Sequence, residues 1–131
     1  MIEDNIKGVE YISINTDLMV LKSSNADLKV QIGEKITRGM GAGMKPQVGR
    51  LSAEEDLETL SQILKNTDLV FIAAGMGGGT GTGAAPVIAE IAKEKKVLTI
   101  GVVTTPFSFE GTKRSKIANQ GIAELRKHVD T

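Results

Sequence analysis

Gly75-Met76-Gly77-Gly78-Gly79-Thr80-Gly81-Thr82-Gly83 decides how this chain is read. The apolar run Leu69 to Ala74 precedes it and a helical pattern from Ala84 to Lys95 follows, giving the order strand, glycine loop, helix start. Six glycines in nine residues are entropically costly for a loop that merely reverses the chain, so the backbone needs positive φ or very close approach to something. A phosphate suits that requirement. Successive N–H groups of such a loop, backed by the positive end of a helix dipole, form an anion cradle without any basic side chain. Thr80 and Thr82 add hydroxyl donors.

Two familiar phosphate loops are weighed against this stretch. The pattern G-x-x-x-x-G-K-[ST] requires a Lys that is absent here. The dinucleotide fingerprint G-x-G-x-x-G/A is matched formally by Gly79 to Ala84, but it expects an acidic residue about 20 positions later, at the end of the next strand. Thr99 to Thr105 contains no acid. Taken alone, the G-x-G-x-x-A match is equally well read as a glycine turn that packs a helix tightly on a sheet.

Working outward, Val9 to Ile14 is rich in β-branched and aromatic residues and ends in Asn15-Thr16-Asp17, a turn and cap signal that also suits a loop over a ligand. Leu28, Val30 and Ile32 alternate with Lys29 and Gln31, which predicts a second strand near a sheet edge. Gly33 to Gly43 reads as loop. Ser52-Ala53-Glu54-Glu55 has the form of a capping box, with Leu57, Leu60, Ile63 and Leu64 on one face of a helix to about Lys65. Leu69 to Ala74 and Val97 to Val103 are continuous apolar runs, as in strands covered on both faces. Between them Ala84, Ala85, Ile88, Ile91 and Ala92 form an apolar stripe, with Pro86 in the first turn where its missing N–H is harmless. A last helix from near Ser108 or Phe109 carries Ala118, Gly121, Ile122 and Leu125 inward, and His128 near its end reads as solvated rather than as a ligand. Alternating strands and helices predict a parallel sheet with right-handed crossovers, its ligand at the carboxyl ends of the strands.

The chain has 131 residues, 40% of them apolar, enough for one domain with a core. Sixteen basic and sixteen acidic side chains leave no net field to steer it toward nucleic acid or an anionic membrane. Three Phe and one Tyr make poor base-stacking platforms. The absence of Cys fits a reducing cytoplasm, and the apolar runs are far short of the ~20 residues that span a bilayer.

The glycine loop carries a resemblance. Gly77 to Gly83, GGGTGTG, resembles the signature loop of the tubulin/FtsZ superfamily of GTPases, and on the FtsZ side of it, since tubulins usually carry Ser in place of Thr82. Asn15-Thr16-Asp17, Gly39-Met40-Gly41-Ala42-Gly43-Met44-Lys45-Pro46, Ala74-Gly75-Met76 and Pro106-Phe107-Ser108-Phe109-Glu110-Gly111 resemble FtsZ segments in the FtsZ order. The resemblance implies an α/β, Rossmann-like three-layer parallel sheet. It implies a protein of bacterial cell division that binds and hydrolyses GTP, Mg²⁺ accompanying the GTP. Head-to-tail filaments, division-machinery partners and a cytoplasmic location at the mid-cell ring are implied too, with no nucleic acid and no membrane insertion.

For individual residues the resemblance implies that Gly77, Gly78, Gly79, Thr80, Gly81, Thr82 and Gly83 wrap the α- and β-phosphates. Gly41, Ala42 and Gly43 would report on the γ-phosphate, although alone that loop reads as a connector. Asn15 and Asp17 would lie by the phosphates and a Mg²⁺ hydration shell, although an Asx turn plus a helix cap explains them equally well. Glu110 and Arg114, four apart on one helix, would meet the ribose and base, with Thr104 and Pro106 beside the sugar. As an isolated pair they read as a surface salt bridge. Thr105 stands where many FtsZ sequences carry Lys or Arg. Against the family, residues 1–131 are expected to be part of a GTP-binding domain, lacking the first strand with its glycine cluster, the long central helix and the acidic loop that acts on the next subunit. No catalytic residue and no metal ligand is therefore expected within the chain, and the chain alone is expected to be inactive. A dinucleotide-dependent oxidoreductase and a non-catalytic packing module are the rival readings.

Overall fold

The computed structural model describes residues 8–106 and 111–131. Two parallel strand pairs carry the fold. β1 (Ile12–Asn15) pairs with β2 (Leu28–Gln31), Ile14 opposite Val30, and β3 (Leu69–Gly75) pairs with β4 (Leu98–Thr104), Ile72 opposite Gly101. Among the described residues no ladder joins β1 to β3. The extended end of the chain lies along β4, where Gly101 N–H donates to Thr131 O at 2.8 Å and Thr99 N–H to Asp130 Oδ2 at 2.8 Å.

The helices depart from the sequence expectation in instructive ways. α1 (Leu18–Ser23) was not expected; it is six residues long and buries only Leu21, too little to leave an apolar stripe. α2 (Glu34–Thr37) is a single turn inside the stretch expected to be loop. The helix expected from Ser52 starts at Pro46, an N-terminal position that suits Pro, and runs as α3 (Pro46–Glu55) before breaking at Asp56 into α4 (Leu57–Ile63). Ser52 is no cap. It is fully buried mid-helix and its hydroxyl donates to Val48 O at 2.7 Å. The break at Asp56 is used, since Asp56 Oδ2 accepts the Gly33 N–H at 2.9 Å.

α5 (Thr80–Glu94) begins four residues before the expected Ala84, so half of the glycine loop is helix. Pro86 therefore sits inside the helix rather than in its first turn, and the helix does without one backbone bond there. α6 (Thr112–Arg126) buries Ala118, Gly121 and Leu125; the expected start near Ser108 or Phe109 falls outside the described residues.

Two apolar clusters meet at Val70 and Ile88. One gathers Val30 and Ile32 with Ala53, Leu60, Val87 and Ile91 from α3 to α5; the other packs Ile72 against Ala85, Ala89, Ala118 and Leu125. Helices α5 and α6 thus cover one face of β3 and β4. The expectation that both faces are covered fails among the described residues, because Leu69, Phe71, Leu98 and Val102 are 42–54% exposed on the other side. A continuous apolar run reports that both faces are suited to burial, not that this stretch of chain supplies both covers.

Candidate functional site

Three segments converge at the carboxyl ends of the strands. The glycine loop leaves β3, residues 15–17 leave β1, and residues 39–45 close over both. The last of these is tied down by its backbone, Leu18 N–H donating to Gly39 O at 3.1 Å and Asp17 bridging Met40. It also touches the glycine loop: a Cβ added at Gly79 would lie 2.7 Å from Ala42 Cβ and 2.9 Å from Lys45 N.

The glycine loop is tight on its inner side and open on its outer side. Gly77 has φ +108°, and its N–H donates to the buried Thr82 hydroxyl oxygen at 2.9 Å. A Cβ at Gly83 would run into the Pro46 carbonyl oxygen and one at Gly81 into the Gly75 carbonyl oxygen. At Gly78 a Cβ would meet nothing within 4 Å. Met76 N–H is used by Thr104 O at 2.9 Å and Gly83 N–H by Gly79 O at 3.0 Å. The N–H groups of Gly78, Gly79, Thr80, Gly81 and Thr82 have no acceptor among the described residues, and no side chain caps α5. Such a row of amides at the start of a 15-residue helix is an anion site in physical terms: unsatisfied donors and a positive dipole end coincide.

The flanking residues divide into those committed to structure and those left available. Asn15 Oδ1 accepts the N–H groups of Thr16 at 2.8 Å and Asp17 at 3.1 Å, so its side chain builds the turn. Asp17 Oδ1 caps α1 by accepting from Met19 and Val20 N–H; Oδ2 takes no part in the cap and faces Gly41. Both structural readings of these residues are thus realised. Thr104 ends β4 with its hydroxyl beside Gly75, while Pro106 and the Arg114 carbonyl border Gly77. Arg114 is half-buried. Glu110 lies outside the described residues.

Sequence reasoning did not single out Thr16, Lys45 or Gly49. Gly49 would strike the Gly79 carbonyl oxygen if it carried a Cβ; its one outward signal is a glycine inside a helical pattern. A cavity of about 480 Å³ lies at the opposite, amino ends of β3 and β4, lined by Leu64 to Asp68, Lys95 and Val97, and shares no residue with the glycine loop. Among the described residues no group of three or more His, Asp and Glu side chains is placed to hold a metal. No helix of the described residues is long and apolar enough to cross a membrane.

Comparison with known proteins agrees with this fold. The chain is 58% identical over all 131 residues to the cell division protein FtsZ of Buchnera aphidicola subsp. Schizaphis graminum and covers 34% of that protein. A second Buchnera FtsZ, from subsp. Baizongia pistaciae, is 54% identical over the same span. The chain thus spans about a third of the length of the curated relatives it matches. Among solved structures, an empty FtsZ dimer from M. jannaschii superposes with a TM-score of 0.95 at 46% identity, covering 98% of this chain and 37% of that one. The GDP-bound CetZ1 monomer from Haloferax volcanii gives 0.85 at 28% identity, covering 92% of this chain and 39% of that one. With residues 2–131 matching the family model described as the tubulin/FtsZ family, GTPase domain, the chain belongs to the tubulin/FtsZ family.

Proposed function

We propose that the full-length protein of which these residues form part binds GTP and GDP, hydrolyses GTP, and assembles head-to-tail into filaments in cell division. Residues 1–131 supply part of its nucleotide-binding domain. The observation that carries this reading is the row of N–H groups from Gly78 to Thr82 that have no acceptor among the described residues, with free space beside a half-buried Gly78. Diphosphate oxygens satisfy those donors and complement the dipole of α5 at once. Gly41, Ala42 and Gly43 then lie where a γ-phosphate is sensed, since Ala42 borders Gly79. Thr104, Pro106 and the Arg114 carbonyl border the loop on its other flank, on the side we assign to the ribose; the acceptor for ribose hydroxyls is the role the family resemblance implies for Glu110.

Mg²⁺ fits the site through the nucleotide rather than through a cage of side chains. Such ions keep several waters and are held largely by substrate phosphates, and Asp17 Oδ2, free of the helix cap, would accept from the ion's water shell. The ion would neutralise phosphate charge.

Phosphoryl transfer depends on positioned water, metal and charge stabilisation, with little covalent chemistry from the protein. Nothing in this chain is assigned the task of positioning water. That task falls to an acidic loop of the neighbouring subunit, which makes turnover depend on assembly. Relatives named as cell division proteins, an FtsZ dimer and a GTPγS-bound CetZ2 protofilament support self-association. The place of action is then the cytoplasm at the mid-cell ring, among other division proteins.

A steady-state phosphate-release assay compares the full-length protein with residues 1–131 alone. Concentration-dependent GTP turnover is expected from the first and none from the second. Turnover by the isolated chain near that of the full-length protein would overturn the two-subunit reading, and no turnover by either would overturn the GTPase reading.

A further inference from the structure

Thr16 sits between Asn15 and Asp17 at the end of β1, and its own side chain makes the longer-range contact. It is fully buried, and its hydroxyl oxygen lies 2.7 Å from the Thr80 hydroxyl oxygen, a link between residues 64 apart in sequence. Its backbone is held from two sides: its N–H donates to Asn15 Oδ1 at 2.8 Å and its carbonyl oxygen accepts the Thr37 hydroxyl at 3.4 Å. Thr37 is buried too, and its one hydroxyl proton is shared between Thr16 O and the nearer Gly33 O at 3.0 Å. Thr16 is therefore a fixed strut from the end of β1 to the first residue of α5.

We propose that Thr16 is a positioning residue for phosphate binding, its hydroxyl donating to Thr80 Oγ1 so that the Thr80 proton is left to point at an anionic oxygen. This inference rests on the nucleotide reading above. Two hydroxyls 2.7 Å apart share one proton between them. With Thr80 as donor, its oxygen turns lone pairs toward the loop and repels an anion. With Thr16 as donor, Thr80 becomes a further donor beside the amides of Gly78 to Thr82 that have no acceptor among the described residues. An anion selects the second arrangement, and charge-assisted bonds are about twice as strong as neutral ones. Thr16 never touches the ligand. The Thr16 hydroxyl has no other hydrogen-bond partner among the described residues.

The test uses the full-length protein and measures GDP and guanosine affinity by calorimetry for wild type, Thr16→Val, Thr16→Ser, Thr80→Val and the double variant Thr16→Val/Thr80→Val. Thr16→Val is expected to weaken GDP several-fold, because the Thr80 hydroxyl loses the bond that fixes its orientation and polarises its proton, with guanosine unchanged. Thr16→Ser is expected to restore GDP affinity, and Thr16→Val to add nothing once Thr80 is Val. Should Thr16→Val not fold, Thr16→Ala removes the same hydroxyl at the cost of a small void, with the same expectation. Wild-type GDP affinity in the Val or Ala variant, an equal loss for guanosine, or a full further loss in the Thr80→Val background would each overturn the relay. Wild-type protein with no preference for GDP over guanosine would instead overturn the nucleotide reading beneath it.

Discussion

At the residue scale the site is a division of labour between glycines. Gly83 is glycine because α3 leaves no room: a Cβ there would strike the Pro46 carbonyl oxygen and come within 2.7 Å of Arg50 N. Gly78 is different, with nothing within 4 Å of a Cβ and no acceptor for its amide among the described residues. Gly83→Ala is therefore expected to cost about 1–3 kcal/mol of stability, the usual range for overpacking, or to prevent folding. Gly78→Ala is expected to leave the urea midpoint of the full-length protein nearly unchanged while weakening GDP binding at least several-fold. Equal unfolding midpoints for the two variants would contradict this assignment. These roles were only half legible. The glycine spacing announced a cradle, but which glycine faces a neighbouring carbonyl and which faces solvent depends on where α3 lies, and no local pattern encodes that. Asn15 and Asp17 were legible as turn and cap because such bonds are local. The Thr16 hydroxyl was not, since its partner is 64 residues away.

At the scale of elements, strands were easier to read than helices. β3 and β4 appear within one residue of the apolar runs that announced them. The helix expected from Ser52 begins six residues earlier because Pro46 starts it and Gly49 does not interrupt it. The capping-box pattern there was a coincidence of composition. The start of α5 was misplaced because glycines were read as loop, whereas Gly81 and Gly83 lie in its first turn, where close approach to Gly75 and Pro46 outweighs helix propensity. The exposed face of β3 and β4 bears a prediction of its own. Fully burying a Leu, Val or Phe side chain is worth about 1.5–3 kcal/mol, so Leu69, Phe71, Leu98 and Val102 together forgo a sizeable part of a domain's net stability, about 5–15 kcal/mol. The isolated 131-residue chain is expected to bind a hydrophobic dye such as ANS and to associate, and Phe71→Lys with Leu98→Lys to reduce both. In the full-length protein the same double change is expected to lower stability. Dye binding unaltered by the substitutions would mean that the exposed surface lies elsewhere.

At the scale of the whole molecule, the two strand pairs and their helices bring three loops to one end, and that convergence is what family membership and geometry have in common. Alternation of strand and helix made the architecture legible from sequence, and the order of the quoted segments made the family legible. The uncovered sheet face was not legible, because a run of apolar residues looks the same whether its cover is present or absent. The central claim is that main-chain amides from Gly78 to Thr82 hold the phosphates of a guanine nucleotide. The most direct test is the amide ¹H–¹⁵N spectrum of the full-length protein during titration with GDP and, separately, with guanosine. The account predicts large shifts of the amide resonances of residues 78–82 with GDP and small ones with guanosine; GDP binding that leaves those resonances where they were would contradict it.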